Sequence, residues 1–156
     1  EYRDLVGRMR DAIPGLAVST DVIVGFCGET EEQYERTHRL MEDMRYDFAF
    51  MFKYSPREGT SAARKLTDDV SEEVKGRRLR EIIDMQERIS AEVYASKIGQ
   101  EIEVLVEGPA KKSPGQVYGR GLDFKSVVFP GVYDASSLVC VRVTGSSPHT
   151  LFAEPI

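Results

Sequence analysis

The sequence has few residues that could bind metals or form disulfides. Its 156 residues include two cysteines, two histidines and no tryptophan. Cys27 and Cys140 lie far apart along the chain, whereas disulfide frameworks and thiolate metal sites need several cysteines at characteristic spacing. We therefore expect two reduced thiols and no metal site. We interpret His38 and His149 as ordinary surface or core residues.

Long hydrophobic runs are also missing. No stretch approaches the roughly 18 apolar residues of a membrane-spanning helix, and the first fifteen residues, EYRDLVGRMRDAIPG, contain no signal-peptide hydrophobic segment. We therefore expect a cytoplasmic protein with no membrane partner. Because the sequence starts without methionine and inside a helical pattern, we also expect it to be a piece of a longer protein.

Positive charge is not in excess. The chain carries 21 Lys and Arg against 26 Asp and Glu, a net charge of −5. Proteins that attract nucleic acid through their overall field are normally basic. Any RNA contact must therefore come from a local patch of basic residues.

Residues 1–97 follow the pattern of an α/β layer. The apolar spacing predicts a helix, a strand, a helix and a strand at Tyr2–Ala12, Leu16–Phe26, Thr30–Met44 and Tyr46–Ser55. Thr30 and Gln33 form a capping-box pattern at the start of the second helix. A strand, a helix and a strand joined by short loops predict two parallel strands.

A polar segment and a long helix complete this half. Residues 56–69 are predicted to be a long loop, which is a usual place for functional residues. From Ser71 a helix is predicted to continue to Lys97. Its charged stretch EEVKGRRLRE is expected to face solvent.

Residues 98–156 have the pattern of a small β-barrel. Five short strands are separated by Gly, Pro and Ser: EIEVLVEG, GQVYGRGLD, SVVFPG, LVCVRVTGSS and TLFAEPI. This pattern predicts a five-stranded antiparallel barrel of the OB-like kind. We place the domain boundary between Lys97 and Gly99.

Three stretches in this order resemble the radical-SAM methylthiotransferases. STDVIVGFCGETEEQYERT resembles the fifth strand and following helix of their TIM-like barrel, and FKYSPREGTSAA with DDVSEEVKGRRL resembles the sixth strand, its loop and a long helix. The terminal strands resemble the TRAM domain that ends these enzymes. EGTSAARKL, RRLREIIDMQERIS and VLVEGPAKKS favour the branch that modifies tRNA. The resemblance implies the C-terminal part of the catalytic barrel followed by a TRAM domain.

The resemblance also implies an activity for the whole enzyme. It would add a methylthio group to carbon 2 of N6-dimethylallyladenosine near the anticodon, using S-adenosylmethionine (SAM) and two [4Fe–4S] clusters and binding the anticodon stem-loop of tRNA. The family's cluster-binding CxxxCxxC loop has no match in this sequence. We therefore expect this piece to be inactive, to contain no catalytic residue and to bind neither cluster nor SAM. Cys27 replaces the family's usual proline.

The end of the first strand matches the family's SAM-binding pattern. By this resemblance Ile23 would contact the adenine ring, Gly25 would let the backbone approach it, and Glu29 would shape the turn. Phe52 and Tyr54, at the end of the second strand, would flank the adenine through backbone groups. The alternative is that all of these residues have only a structural role, in the core and the turn.

Five basic residues are candidate RNA contacts: Arg57, Lys111, Lys112, Arg120 and Lys125. Arg57 lies in the polar loop, where it would hold a phosphate. The other four lie in the predicted barrel near Tyr118 and Phe124, which suits phosphate contact combined with base stacking. We interpret Phe129 as core.

Two alternative functions remain open. In the first, the chain belongs to the sister branch that methylthiolates an aspartate of a ribosomal protein. In the second, it is a non-catalytic RNA-binding module. The stand-alone module would need a self-sufficient core in residues 1–97. In a piece of a catalytic barrel, two strands alone make a marginal sheet with unpaired edges, so we expect the α/β part to self-associate or to be disordered.

Overall fold

The computed structural model describes residues 1–111 and 113–156. It divides into two compact units, one formed by Glu1–Val6 and Val18–Ile89 and the other by Gly7–Ala17 and Ser90–Ile156. The boundary drawn from the sequence at Lys97 to Gly99 falls inside the second unit and stays a prediction. No helix among the described residues combines the length and the apolar character that crossing a membrane requires.

Two parallel strands and four helices make up the first 95 residues. They are α1 (Tyr2–Ala12), β1 (Ser19–Val24), α2 (Glu31–Met44), β2 (Phe48–Lys53), α3 (Ser61–Lys65) and α4 (Glu72–Ala95). In the sheet Ser19 lies opposite Phe48, and Val24 lies opposite Lys53. The predicted α/β layer with parallel strands is therefore confirmed, although both strands are shorter than predicted.

Threonine caps begin two of the helices. Thr30 caps α2: its Oγ1 accepts the Gln33 backbone N–H at 3.2 Å, and its own N–H donates to Gln33 Oε1 at 2.9 Å. This confirms the predicted capping box. Thr60 likewise accepts the Ala63 N–H and starts α3 inside the segment predicted to be a loop. The loop prediction missed this helix because its five residues are too few to show an apolar period.

The two faces of the β1–β2 sheet differ in burial. One side belongs to a core with the helices, and its fully buried members include Val24, Met41 and Ile82. The other side is exposed and mostly apolar, with Asp21 lying opposite Phe50. We call it the open face; its residues Ile23, Phe48, Phe50 and Phe52 are 56%, 43%, 56% and 53% exposed.

The prediction that the charged stretch of α4 faces solvent is wrong at two residues. Lys75 is 1% exposed and Arg78 is 3% exposed. Both continue the buried stripe that contains Ile82, because they precede it by seven and four residues on the helix. Their burial requires charged partners, since an unpaired buried cation is costly.

Five strands close into a barrel in the second unit. They are β3 (Glu101–Pro109), β4 (Gln116–Gly121), β5 (Ser126–Pro130), β6 (Leu138–Ser147) and β7 (Thr150–Pro155), arranged around the barrel as β3-β4-β5-β7-β6. The five predicted strands are confirmed. The pairing differs in one respect, because β5 and β7 are parallel. A closed ring with an odd number of strands cannot alternate in direction throughout, so one neighbouring pair has to be parallel.

The barrel interior is built from inward-pointing aliphatic side chains and one phenylalanine. The buried cluster contains Val104, Val106, Val117, Val127, Phe129, Val141, Val143, Leu151 and Ala153. Phe129 is fully buried, which confirms its interpretation as core. Tyr94 and Tyr133 pack against this cluster from its edge.

Candidate functional sites at the end of β1 and on the barrel

The chain leaves β1 through a tight turn that the Glu29 carboxylate holds. Gly25 and Gly28 have φ angles of 72° and 76°, a region that favours glycine. The Glu29 backbone N–H donates to the Phe26 carbonyl at 2.8 Å. The Glu29 carboxylate also accepts the Gly25 N–H, at 2.6 Å through Oε2. Glu29 thus closes the turn with both its backbone and its side chain.

Arg78 of α4 fixes Glu29 in turn. Its Nη1 donates to Glu29 Oε2 at 2.7 Å and to the Glu29 carbonyl at 3.1 Å, and its Nη2 donates to Glu31 Oε2 at 3.0 Å. The side chains of Arg78 and Glu29 are 4% and 12% exposed. Charge-assisted hydrogen bonds of this length, shielded from water, are among the strong ones in proteins.

This ion pair extends into a network between α2 and α4. Hydrogen bonds from Arg78 and Arg77 hold the pKa of Glu31 below its ordinary value. The Tyr34 hydroxyl donates to Glu81 at 2.6 Å and lowers the pKa of that carboxyl. The network joins the first turn of α2 to α4.

Lys75 lies beneath Gly25. Its Nζ donates to both carboxylate oxygens of Asp68, at 2.6 and 2.7 Å, and contacts Glu72 at 3.4 Å. Burial alone would lower the pKa of Lys75, but these carboxylates outweigh it and raise the pKa. A Cβ at position 25 would overlap the Lys75 side-chain carbons. Gly25 is therefore required by a neighbouring side chain of the protein itself, whatever ligand binds nearby.

Tyr54 packs behind the turn. Its N–H donates to the Val24 carbonyl at 2.8 Å, and its ring meets Phe26 edge-on with centroids 4.9 Å apart. Lys75 Nζ lies 5.5 Å from the Tyr54 ring centroid. A hydrogen bond with Cys27, together with burial and the charge of Asp68, raises the pKa of the Tyr54 hydroxyl. Cys27 therefore faces a tyrosine at the position where the family usually has proline.

The five candidate SAM residues fall into three groups. Ile23 and Phe52 are direct cross-strand neighbours on the open face. Gly25 and Glu29 are joined by a hydrogen bond in the turn. Tyr54 is 9% exposed and packs among protein side chains. A SAM contact at these residues stays a prediction. The sequence reasoning missed Lys75 and Arg78. Their spacing puts them on the same helix face as Ile82, but nothing in the sequence indicates that two cations on that face are buried.

Two of the candidate RNA contacts of the barrel lie at its surface. Lys111 is exposed in the turn between β3 and β4. Arg120 is 44% exposed; its Nε donates to Glu107 at 3.0 Å and its Nη1 donates to the Phe124 carbonyl at 3.0 Å. Lys112 lies outside the described residues.

Lys125 is buried, which does not suit a contact with RNA. It is 3% exposed, its Nζ lies 3.3 Å from Asp123, and it stacks on the Tyr94 ring at 5.6 Å. Because these contacts hold the ammonium group inside the barrel unit, we withdraw Lys125 from the candidate RNA residues. The sequence around Lys125, just before β5, does not indicate that this side chain is buried.

Arg57 and Phe124 both project from turns. Arg57 is exposed, and its carbonyl accepts the Thr60 hydroxyl at 2.8 Å. Phe124 is 73% exposed at a φ of 61°, which is unusual for a bulky residue. The neighbouring Leu122 is 90% exposed. The turn between β4 and β5 therefore presents two apolar side chains to solvent.

Comparisons with known proteins agree with this architecture. The TRAM domain family matches residues 95–156. Proteins named tRNA-2-methylthio-N(6)-dimethylallyladenosine synthase match the whole chain. The protein of Chlorobium chlorochromatii is 46% identical over 100% of this chain and 35% of its own length. Those of Chlorobium phaeobacteroides strain BS1 and Chlorobaculum tepidum are 49% and 45% identical over 99% and 100% of this chain.

The chain belongs to the family of these relatives. It spans about a third of their length, 35% for the three named above, and corresponds to their C-terminal part. The barrel is accordingly its TRAM domain. Among residues 1–111 and 113–156, no three His, Cys, Asp or Glu side chains are grouped so that they could hold a metal ion.

Alanine substitutions at the two glycines of the turn distinguish strain from the positive φ angle from strain caused by overlap with Lys75. We expect Gly25→Ala to destabilise the chain by about 2–5 kcal/mol, because it adds overlap with Lys75 to an unfavourable φ. Gly28→Ala is the matched control: its φ is similar but a Cβ there meets no atom within 4 Å. We expect it to cost about 1–2 kcal/mol. Urea unfolding measures both values, and equal losses would contradict the role of Lys75.

The TRAM domain should show a pH dependence that originates at Asp123. Burial works against ionisation of this carboxyl, but Lys125 and Lys97 outweigh burial and hold its pKa below the ordinary 3.8. A carboxyl with a depressed pKa contributes stability above its unfolded-state pKa and loses it as the pH falls through the folded value. We expect Asp123→Asn to lower the free energy of unfolding by about 1–3 kcal/mol at pH 7 and by much less near pH 2.

The control for this experiment is Asp134→Asn, which changes an exposed aspartate of the same domain. It should have little effect at either pH. Urea unfolding at both pH values measures the difference between variant and wild type. A loss for Asp123→Asn that is equal at pH 7 and pH 2 would contradict the ion pairs as its origin.

Proposed function

We propose that this chain is the C-terminal part of a cytoplasmic radical-SAM enzyme that adds a methylthio group to N6-dimethylallyladenosine in tRNA. The observation that carries the proposal is the match of the whole chain, at 45–49% identity, to relatives named for this synthase. Since the chain spans about a third of those relatives, the complete reaction needs the remaining polypeptide as well. The TRAM domain would then contribute contacts to tRNA.

The turn after β1 and the open face are the part of this chain suited to SAM. Ile23 and Phe52 present a paired apolar surface of the kind that an adenine ring needs, and both are more than half exposed. Gly25 and Glu29 would hold the adjoining backbone in position, with Tyr54 supporting the turn from behind. Bound SAM and an iron–sulfur cluster supply the radical chemistry in enzymes of this family.

The cluster itself does not fit the residues present here. The chain has two cysteines, and Cys27 and Cys140 belong to different units. Three thiolates would be needed to hold a cluster with one open iron. We therefore assign cluster binding to the rest of the enzyme, and we propose that this chain alone is inactive.

The RNA contacts would come from exposed basic residues. Lys111 and Arg120 on the TRAM domain would bind phosphates; Lys112, a further candidate from the sequence, lies outside the described residues. Arg57 of the α/β part is a further candidate because it is exposed in a loop. The anticodon stem-loop is the part of tRNA that we propose they meet. No observation favours the ribosomal-protein branch or a non-catalytic RNA-binding module.

The proposed reaction is tested with the full-length protein. Expressed in a bacterial strain that lacks its own methylthiotransferase, it should convert N6-dimethylallyladenosine of tRNA into the 2-methylthio nucleoside, as measured by mass spectrometry of digested tRNA. Residues 1–156 alone should give no product and should bind no stoichiometric iron or sulfide after anaerobic reconstitution. A full-length protein that leaves tRNA unchanged but modifies a ribosomal protein would contradict the proposal.

We also propose that the isolated chain self-associates through its two-stranded sheet. The sheet has unpaired edges, and its open face exposes three phenylalanines. Phe50→Lys replaces the central phenylalanine of that face, beside Asp21, with a charged side chain. It should shift the chain towards monomer in sedimentation experiments over a range of concentrations. Leu122→Lys, which changes an exposed residue of the TRAM domain, should have no effect. A wild-type chain that is monomeric at every concentration would overturn this proposal.

A further inference from the structure

A continuous row of paired residues crosses all five strands of the TRAM domain. Tyr118 of β4 lies opposite Val128 of β5, and Val128 lies opposite Phe152 of β7. The row ends at a glycine on each side, with Gly108 opposite Tyr118 and Gly145 opposite Phe152. We call these five residues the aromatic band. Paired residues of neighbouring strands point to the same face of a sheet, so Tyr118, Val128 and Phe152 share the outer surface.

The glycines place no side chain beside either ring; Phe152 is exposed, whereas Tyr118 is half-buried. A Cβ at Gly108 would lie 3.9 Å from the Tyr118 ring, and one at Gly145 would lie 3.7 Å from the Phe152 ring. Each glycine also adjoins a register shift in its strand. Shielding of glycine backbone explains part of this arrangement. It does not explain why Phe152 keeps 46% of its surface exposed on a regular strand.

Charge divides the outer surface of the barrel into two regions. The outward positions of β3 include Glu101, Glu103 and Glu107, and Arg142 of β6 is paired with Glu101 at 2.6 Å. Acidic residues are absent from the outward positions of β4 and β5, which are Gln116, Tyr118, Arg120, Ser126, Val128 and Pro130.

The band lies between two exposed cations. Arg120 is two residues beyond Tyr118 along β4. Lys111 lies before the other end of β4, where the Ala110 N–H donates to the Gln116 carbonyl at 2.9 Å. Arg120 shares its charge with Glu107 of β3, and Glu154 of β7 lies opposite Arg142. The outer face of β4 and β5 therefore combines aromatic surface with positive charge at its two ends.

We infer that the aromatic band is a base-stacking surface for unpaired nucleotides of RNA, with Tyr118 and Phe152 as the stacking residues. Stacking on aromatic side chains with cations beside them is how small barrels hold single strands. The two rings are separated by one intervening strand, about 10 Å at the usual strand spacing. The inference rests on the proposed function, because it names the RNA-contacting face of the same domain.

Binding of a fluorescein-labelled ten-nucleotide oligoadenylate to the 156-residue chain tests this inference. Phe152→Leu and Tyr118→Leu should each raise the dissociation constant by roughly 5-fold to 100-fold, the range for loss of one stacked base. The dependence of affinity on salt should stay unchanged, because no phosphate contact is lost. Arg120→Gln should instead lower the salt slope by about 0.7. If the aromatic substitutions only disturbed the fold of the barrel, they would not lower the affinity while leaving its dependence on salt unchanged.

Phe152→Trp provides a conservative rescue. Since the chain contains no tryptophan, fluorescence of the variant reports on this position alone, and bound oligoadenylate should quench it while affinity is retained. Leu138→Ala is the matched control, because Leu138 is a 62% exposed apolar residue on β6, outside the band. It should bind as the wild type does.

Several outcomes would overturn the inference. Unchanged affinity of Phe152→Leu and Tyr118→Leu would do so, as would a loss confined to Phe124→Ala, which would move the contact to the turn between β4 and β5. Absence of oligoadenylate binding by the wild type would also overturn it. The proposed reaction is judged separately, by the methylthio nucleoside that the full-length protein forms, so either idea can fail while the other stands.

Discussion

The buried ion pair between Arg78 and Glu29 is the constraint on which the end of β1 depends. Arg78 holds the Glu29 carboxylate, and that carboxylate accepts the Gly25 N–H, so one guanidinium group on α4 determines the path of the chain after the strand. Removing one partner of such a pair is far more costly than the pair's net contribution, because the other charge stays buried. The turn is therefore stable only while α4 packs against the sheet.

This constraint changes how the glycine-rich turn is explained. Its glycines and acid match a family pattern for binding SAM, yet each has a local structural cause. Gly25 adjoins the Lys75 side chain, and Glu29 binds Gly25 and Arg78. The surface left for a ligand is the open face, where Ile23 and Phe52 stand side by side. In the proposed SAM site the turn would position the backbone, whereas the strands would supply the apolar contact.

Much of the fold could be predicted because local signals and tertiary structure agree. The capping box at Thr30 and the alternating strands of the barrel depend on residues that are close together in the sequence. A short stretch of sequence is therefore enough to recognise them. Lys75, Arg78 and Lys125 could not be placed in this way. Lysine and arginine are mostly exposed, and their burial depends on partners distant in sequence, such as Glu29 for Arg78. Phe152, our proposed stacking residue, was not a candidate from the sequence for a similar reason, since its neighbours Val128 and Gly145 come from other strands.

Amide hydrogen exchange at Gly25 tests the role of Arg78 most directly. Arg78→Met keeps the apolar stem of the side chain but removes its charge and its donors. If Arg78 positions the turn through Glu29, exchange at Gly25 should accelerate by at least tenfold, while amides of the barrel core such as Val127 keep their protection. Arg36→Met, which removes an exposed pair with Glu32, should change neither. Equal protection of Gly25 in the wild type and Arg78→Met would contradict the account.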